Sequence, residues 1–190
     1  TDKGELEKAQ EIANFLETKD AELASTLDAY VYEKTAPKMT STSDGGYANF
    51  FLDMLGPKTS VSLLGDNLFN AGSQKTLSIV FQFSKAMDAD SVENVMNWRI
   101  QREPTTSTSL GYNFGSPIPS TEIALPDTPS AVFYDSTYMT ATVLFKIKQN
   151  DTANGTIDPS HVQFTFKGTD AVGLSMDPEA DQYRGFSGFA

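Results

Sequence analysis

The spacing of apolar residues changes along this chain, and that change limits the folds the chain can adopt. Neither Gly nor Pro occurs between Glu5 and Lys34, where apolar residues recur at alternating steps of three and four. From about residue 60 onward, apolar residues alternate with polar ones. The first spacing is typical of an amphipathic helix and the second of a half-buried strand. The sequence therefore predicts a helical N-terminal segment followed by a β-sheet region.

The helical segment is predicted to cover residues 1–35, and two arrangements fit it. A single helix would be about 48 Å long at 1.5 Å per residue. A helical hairpin would instead turn at residues 18–20, with Asp20 as the N-cap of the second helix. The apolar seam, which is interrupted at Asp20, is formed by Leu6, Ala9, Ala13, Leu16, Leu23, Leu27 and Tyr30.

Three explanations account for this apolar seam. It packs on the chain's own β core, it forms a coiled coil or bundle with another copy, or it belongs to a linker helix of a longer protein. Residues 1–35 contain four basic and nine acidic residues, a net charge of −5. Association of several copies must outweigh that repulsion. Self-association or a protein partner at this segment is therefore a prediction.

Residues 36–59 are predicted as a linker that contains a short helix. Ser, Thr, Gly and Pro dominate residues 35–47, and such residues do not build a core. A short apolar helix is predicted at residues 47–55, because Gly56 and Pro57 would end it.

Residues 60–190 are predicted to form about seven strands. In residues 76–84, Leu77, Ile79, Phe81 and Phe83 share one face. Asp88 is positioned to cap a short helix that carries Val92, Val95 and Met96. Further strands are predicted to begin at Trp98 and to cover residues 122–125, 131–134, 139–148 and 161–167. Many short strands without strand–helix alternation indicate a mainly β fold, an antiparallel β-sandwich preceded by the helical segment.

Two segments resemble signatures of a bacterial Ig-like domain family found in S-layer and other large surface proteins. In residues 80–92, a strand ending in Phe83-Ser84 runs into Met87-Asp88 and a short helix. In residues 168–176, Asp170 and Gly173 precede a last apolar residue, similar to the closing strand of that family. The helical segment, the loop at 103–120 and the tail at 177–190 have no counterpart in the family.

The resemblance implies a seven-stranded Ig-like sandwich that serves as a spacer, an adhesive module or a carrier of other domains. It also implies an extracytoplasmic location, at the cell surface, in the envelope or secreted. It transfers no catalytic residue.

Charge and composition exclude several function classes. The net charge is −11, and no basic patch offsets it, so nucleic acid is a poor partner. Cysteine is absent, which excludes disulfides, thiol catalysis and zinc–thiolate sites. No run approaches the roughly 20 apolar residues of a membrane span, so no membrane insertion is expected.

His161, the one histidine, is the residue on which a Ser-His-Asp site would depend. It begins a strand on the polar face, and no Gly-x-Ser-x-Gly segment presents a nucleophile. We therefore predict a solvent-facing structural histidine, no catalytic residue and no enzyme activity.

Three regions contain oxygen ligands in patterns that a metal site could use. Read as a calcium loop, the segment from Asn150 has Asn150 and Thr152 at positions one and three, and His161 where a bidentate Glu belongs. A plain loop with positive φ at Asn154-Gly155 is the favoured prediction. Acidic residues also cluster at Asp88, Asp90 and Glu93, and at Asp170, Asp177, Glu179 and Asp181. We predict no cofactor, assign no metal ligand and keep calcium at the second cluster as an alternative.

Aromatic residues in loops and in the tail provide a last candidate site. Sugar rings stack on such side chains, but aromatic residues also cover the edges of sandwiches, which we favour. They are Tyr112, Phe114, Tyr134, Tyr138, Tyr183, Phe186 and Phe189. The sequence thus predicts a non-enzymatic structural or assembly module of a bacterial surface or envelope protein; the alternative is an adhesive module that binds carbohydrate or protein.

Overall fold

A computed structural model describes residues 3–41, 55–105 and 111–185 of the chain. These residues form helices at the N-terminus and nine strands in three antiparallel sheets. The short helix predicted at residues 47–55 lies outside the described residues except for Leu55.

The N-terminal segment is a helical hairpin of α1 (Lys3–Leu16) and α2 (Ala21–Lys34). Asp20 is the N-cap of α2, and its side chain accepts a hydrogen bond from the backbone N–H of Leu23 at 3.1 Å. That bond satisfies one of the N–H groups that have no partner in the first helical turn. Of the two predicted arrangements, the structure has the hairpin.

The two helices pack along a seam of small residues. Ala13, Ala24 and Val31 are buried in it. Leu23 and Tyr30 were predicted in this seam, but they are about half exposed. The prediction is wrong at these two positions because the turn before Asp20 interrupts the three-and-four repeat. In α2 the residues that follow them, Ala24 and Val31, are buried instead.

The strands are β1 (Met39–Ser41), β2 (Thr59–Ser60), β3 (Gln74–Phe83), β4 (Trp98–Arg102), β5 (Ala131–Asp135), β6 (Thr140–Lys148), β7 (Thr156–Ile157), β8 (Val162–Phe166) and β9 (Gln182–Arg184). They form a four-stranded sheet in the order β1-β3-β6-β5, a three-stranded sheet in the order β4-β8-β9, and the pair β2-β7. All these pairings are antiparallel.

The two larger sheets pack face to face through aromatic side chains. Phe81 of β3 stacks on Trp98 of β4 with ring centres 5.6 Å apart, and Phe83 lies 5.3 Å from Phe166 of β8. Alternate residues of β3 and β6 are buried, as the period of two predicts. This two-layered arrangement, called the β-sheet region below, fits a β-sandwich.

Several predicted elements differ from the structure. The described residues form nine strands rather than about seven. Residues 122–125 are not a strand, because their one ladder contact is an isolated bridge from Glu122 to Thr156. Residues 39–41, predicted as linker, pair with β3, and Met39 is buried. Strands of two or three residues are too short to show a period, so the sequence does not reveal them.

The short helix after β3 is α3 (Ala89–Glu93), capped by Asp88 as predicted. Asn94 then accepts a hydrogen bond from the N–H of Met96 and begins a separate 3₁₀ turn, Val95–Asn97. Met96 is 76% exposed, so the predicted helix was too long. Other 3₁₀ turns are Val61–Leu64, Asp66–Leu68 and Pro159–His161. The turn Tyr112–Gly115 is not a 3₁₀ turn, because Asn113 and Phe114 have positive φ angles of 53° and 51°.

Candidate functional site

Lys85 lies where the hairpin meets the β-sheet region, and its ammonium group is buried there. Its Nζ donates hydrogen bonds to the carbonyl oxygens of Tyr32, Glu33 and Thr35 at 2.8, 3.2 and 3.0 Å. The last carbonyls of a helix have no intrahelical partner and carry partial negative charge. Lys85 therefore caps the C-terminus of α2 from a different part of the fold.

Asp170 supplies the counter-charge of Lys85. Its Oδ2 lies 2.7 Å from Lys85 Nζ, and its Oδ1 accepts hydrogen bonds from the N–H groups of Val172 and Leu174. Burial by itself would raise the pKa of the Asp170 carboxyl, but the ion pair with Lys85 and the hydrogen bonds from Leu174 and Val172 outweigh burial and lower the pKa. Asp170 is therefore held as a carboxylate inside the protein.

The two segments that carry the family resemblance meet at this ion pair. An isolated antiparallel bridge joins Met87 to Asp170, and the N–H of Asp88 donates to the carbonyl of Thr169 at 3.1 Å. Sequence reasoning missed Lys85, although a signal was present. Phe83, Lys85 and Met87 are all buried, so Lys85 occupies an inward position of the alternating pattern that continues past β3.

Ionisation of the Asp170 carboxyl makes the free energy of unfolding depend on pH. Because the folded-state pKa is lowered, the contribution is complete above the unfolded pKa of about 3.9 and is lost as pH falls through the folded value. We expect the free energy of unfolding to fall between about pH 5 and pH 2, and to fall less steeply in Asp170→Asn. Urea titrations at stepped pH measure this, and equal pH slopes for the two proteins would contradict it.

The hairpin has one polar side and one apolar side. Gln10, Asn14, Glu17 and Asp28 line a cavity of about 490 Å³ that Lys38, Ser84 and Lys85 close from the β-sheet region. Residues two positions apart lie about 200° apart around a helix. Ile12 is therefore opposite Gln10 and Asn14, and Tyr30 is opposite Asp28. The apolar side of the hairpin faces away from the β-sheet region.

We call this apolar side the outer face, formed by Ile12, Phe15, Leu23 and Tyr30. Their exposed fractions are 53%, 68%, 50% and 48%. The hydrophobic core contains no residue before Met39 among those the structure describes. The explanation in which the predicted stripe packs on the chain's own β core is therefore wrong, because the described residues of the hairpin contribute nothing to that core.

His161 lies beside a carboxylate rather than facing solvent. Its Nδ1 is 2.9 Å from Asp158 Oδ2 and 2.9 Å from Ser160 Oγ, and its side chain is 15% exposed. The predicted solvent-facing position is wrong because Pro159–His161 form a 3₁₀ turn that folds the ring back onto Asp158.

This geometry differs from a nucleophile–base pair. In a Ser-His-Asp triad, the carboxylate and the serine bind different ring nitrogens. Here Asp158 and Ser160 both contact Nδ1, and Ser160 Oγ also donates to Asp158 Oδ1. Within the described ranges, no hydroxyl is hydrogen-bonded to Nε2. The three side chains therefore form a hydrogen-bonded turn.

Tyr112 links that turn to a second, half-buried acid, Glu122. Its hydroxyl accepts a hydrogen bond from the N–H of Asp158 at 3.0 Å and is hydrogen-bonded to the carboxyl group of Glu122. Burial raises the pKa of Glu122 despite the hydrogen bonds from Tyr112 and Thr156. Burial also raises the pKa of Tyr112. These contacts hold the 112–115 turn to β7.

The loop aromatics divide into packed and exposed groups. Tyr112 is buried, Tyr134 packs on Phe83 and Tyr183 packs on Phe81. Phe114 and Tyr138 are exposed, whereas residues 186 and 189 lie outside the described part of the chain. Packing of three of the five described aromatics agrees with edge covering.

The segment compared with a calcium loop is occupied by its own hydrogen bonds. Asn150 Oδ1 accepts from the N–H groups of Thr152 and Asn154 at 3.2 and 3.1 Å. Positive φ falls at Ala153, with φ 57°, so the prediction of positive φ at Asn154-Gly155 is wrong. Gly155 is needed for a different reason, since a Cβ there would lie 2.2 Å from Gln149 Oε1.

The acidic residues of the second cluster do not converge. Asp170 faces Lys85, whereas Glu179 pairs with Lys3 at 2.8 Å. Burial raises the pKa of Asp181. In the part of the chain that the structure describes, no three His, Asp or Glu side chains come together as a metal site.

Comparisons with protein-family models, with curated proteins and with solved structures find no match to this chain. Among residues 3–41, 55–105 and 111–185, no helix combines the length and the apolar character needed to cross a membrane.

Proposed function

We propose that this chain is a non-enzymatic structural module in which an Ig-like β-sandwich presents a helical hairpin for assembly. The observation that carries the proposal is the outer face, whose large apolar side chains Ile12, Phe15, Leu23 and Tyr30 contact no core. Contiguous exposed apolar side chains on a soluble fold are typical of an interaction site.

The contacts of Lys85 support a hairpin that is held in a fixed position rather than one that moves freely. Lys85 joins the end of α2 to Asp170, and Lys3 at the start of α1 joins Glu179. The buried pair is the stronger of these contacts, because ion pairs between exposed side chains contribute little. A surface held in place before binding loses less conformational entropy when it binds.

A location at the bacterial surface or in the envelope is part of the proposal. Its support is the resemblance of residues 80–92 and 168–176 to Ig-like domains of surface proteins. The Lys85–Asp170 pair gives those segments a common structural purpose, since each contributes one partner. The shared contact of Asp158 and Ser160 with Nδ1 of His161 supports the absence of catalysis.

In-cell photo-crosslinking tests the assembly role. A photoreactive phenylalanine analogue replaces Ile12 on the outer face, or Phe133 on β5 as the matched control, in cells that produce the protein. Both positions are more than half exposed. We expect a discrete higher-mass band from position 12 and none from position 133. If position 12 yields no band, the assembly function is wrong.

A further inference from the structure

We propose that Asn154 is a site of spontaneous deamidation, and that the folded chain suppresses the reaction through the buried side chain of Gln149. Asn154-Gly155 is the one Asn-Gly pair in the sequence. Glycine has no Cβ, so its backbone nitrogen is the least hindered nucleophile that can follow an asparagine. Asn154 itself is exposed, so water reaches it. The inference does not depend on the proposed assembly function.

The reaction needs no partner other than water. The backbone nitrogen of Gly155 loses its proton and attacks Cγ of Asn154, so that a succinimide ring forms and the Cγ–Nδ2 bond breaks. The Nδ2 group takes up a proton and leaves as ammonia. Water then opens either C–N bond of the ring. The product is aspartate or isoaspartate at position 154, and the chain mass rises by about 1 Da because an amide has become a carboxyl group.

The nucleophile of this reaction is held by Gln149. The N–H of Gly155 donates to Gln149 Oε1 at 2.8 Å, and both residues are buried. Gln149 is fixed in turn, because its Nε2 donates to the carbonyl oxygen of Leu68 at 2.9 Å. Burial disfavours the anion that deprotonation of the Gly155 N–H would form, and the hydrogen bond to Gln149 adds to that cost.

The side-chain amide of Asn154 is held as well. Its Oδ1 accepts hydrogen bonds from Asn150 Nδ2 and Thr152 Oγ1 at 2.7 and 2.6 Å. On the other side of the reacting groups, the carbonyl oxygen of Gly155 accepts a hydrogen bond from the N–H of Val61 at 2.9 Å. The attack consumes the Gly155 N–H and makes Cγ tetrahedral, so contacts on both groups must be given up first. Deamidation is therefore expected from an opened form of this loop.

Deamidation changes the loop in one direction only. Isoaspartate carries the chain through its side chain and so adds a methylene to the backbone, which displaces the Gly155 N–H from Gln149. The loop leads directly into β7, where Thr156 pairs with Ser60 of β2 and accepts a hydrogen bond from the N–H of Ile123 at 3.0 Å. Isoaspartate at position 154 should therefore weaken the β2-β7 pair and mark chains in which the loop has opened.

Peptide mapping by mass spectrometry, after incubation of the full chain at mildly alkaline pH, tests the proposal. We expect deamidation at Asn154 to be at least about tenfold slower in the folded chain than in the chain unfolded in urea at the same pH. Folded Gln149→Met should deamidate about three- to tenfold faster than the unsubstituted chain, a factor that corresponds to the loss of one buried hydrogen bond. Gln74→Met, at an exposed glutamine of β3, is the matched control and should not change the rate.

Amide exchange of Gly155 in the unsubstituted chain is a second measurement, which does not require Gln149→Met to fold. As urea is added below the unfolding transition, the deamidation rate should rise in step with exchange of the Gly155 N–H. Equal deamidation rates in the folded and unfolded chains overturn the inference. So does a deamidation rate that stays constant while Gly155 exchange accelerates. A folded Gln149→Met that deamidates no faster than Gln74→Met overturns the role of Gln149.

Discussion

Lys85→Met should lower the free energy of unfolding by about 3–5 kcal/mol, because it leaves a buried carboxylate without its counter-charge. Asp170 is 1% exposed, and it keeps only the N–H groups of Val172 and Leu174 as hydrogen-bond donors. The substitution also removes the donor that serves three carbonyls at the end of α2. Urea denaturation followed by tryptophan fluorescence measures the loss, since Trp98 is the one tryptophan.

The matched control for this prediction is Lys146→Met, because Lys146 is an exposed lysine on β6. It should change the free energy of unfolding by less than about 0.5 kcal/mol. The double variant Lys85→Met/Asp170→Asn should recover part of the loss, because the unpaired buried charge is then absent. A loss below about 1 kcal/mol for Lys85→Met would show that the ion pair does not anchor the hairpin.

The sequence predicts well those strands that are long enough to show alternating buried and exposed residues. In β3 and β6, one face packs against the second sheet, so a period of two is visible in the order of residues. Strands β1 and β9 have three residues each and are fixed by partners distant in sequence, such as Phe83 for Met39. Local spacing cannot reveal such pairing.

The candidate site was predictable only in part. The apolar residues of the outer face were recognised, but whether they face solvent depends on the turn at Asp20, which sets the rotation of α2 against α1. The ion pair of Lys85 and Asp170 joins residues 85 positions apart. Sequence indicated Asp170 as a notable acid but gave no means to decide between a metal ion and a lysine as its partner.

Asp158→Ala should lower the free energy of unfolding by about 2–4 kcal/mol, because it leaves buried donors unsatisfied. The Asp158 carboxylate is 1% exposed and accepts hydrogen bonds from the N–H of Asn113 and from Ser160 Oγ, at 2.8 and 2.9 Å. It also lies 2.9 Å from His161 Nδ1. The substitution should therefore loosen both the 112–115 turn and the 159–161 turn, which urea denaturation and amide exchange measure together.

Asp151→Ala is the control for Asp158, since Asp151 is an exposed aspartate of a neighbouring loop. It should stay within about 0.5 kcal/mol of the unsubstituted chain. Asp158→Asn should fall between the two, because an amide of the same shape retains one acceptor and presents a donor to groups that also donate. Equal stability of Asp158→Ala and Asp151→Ala would mean that the carboxylate is not needed to hold the fold. The structural role that we assign to the buried Asp158 beside the single histidine would then be wrong.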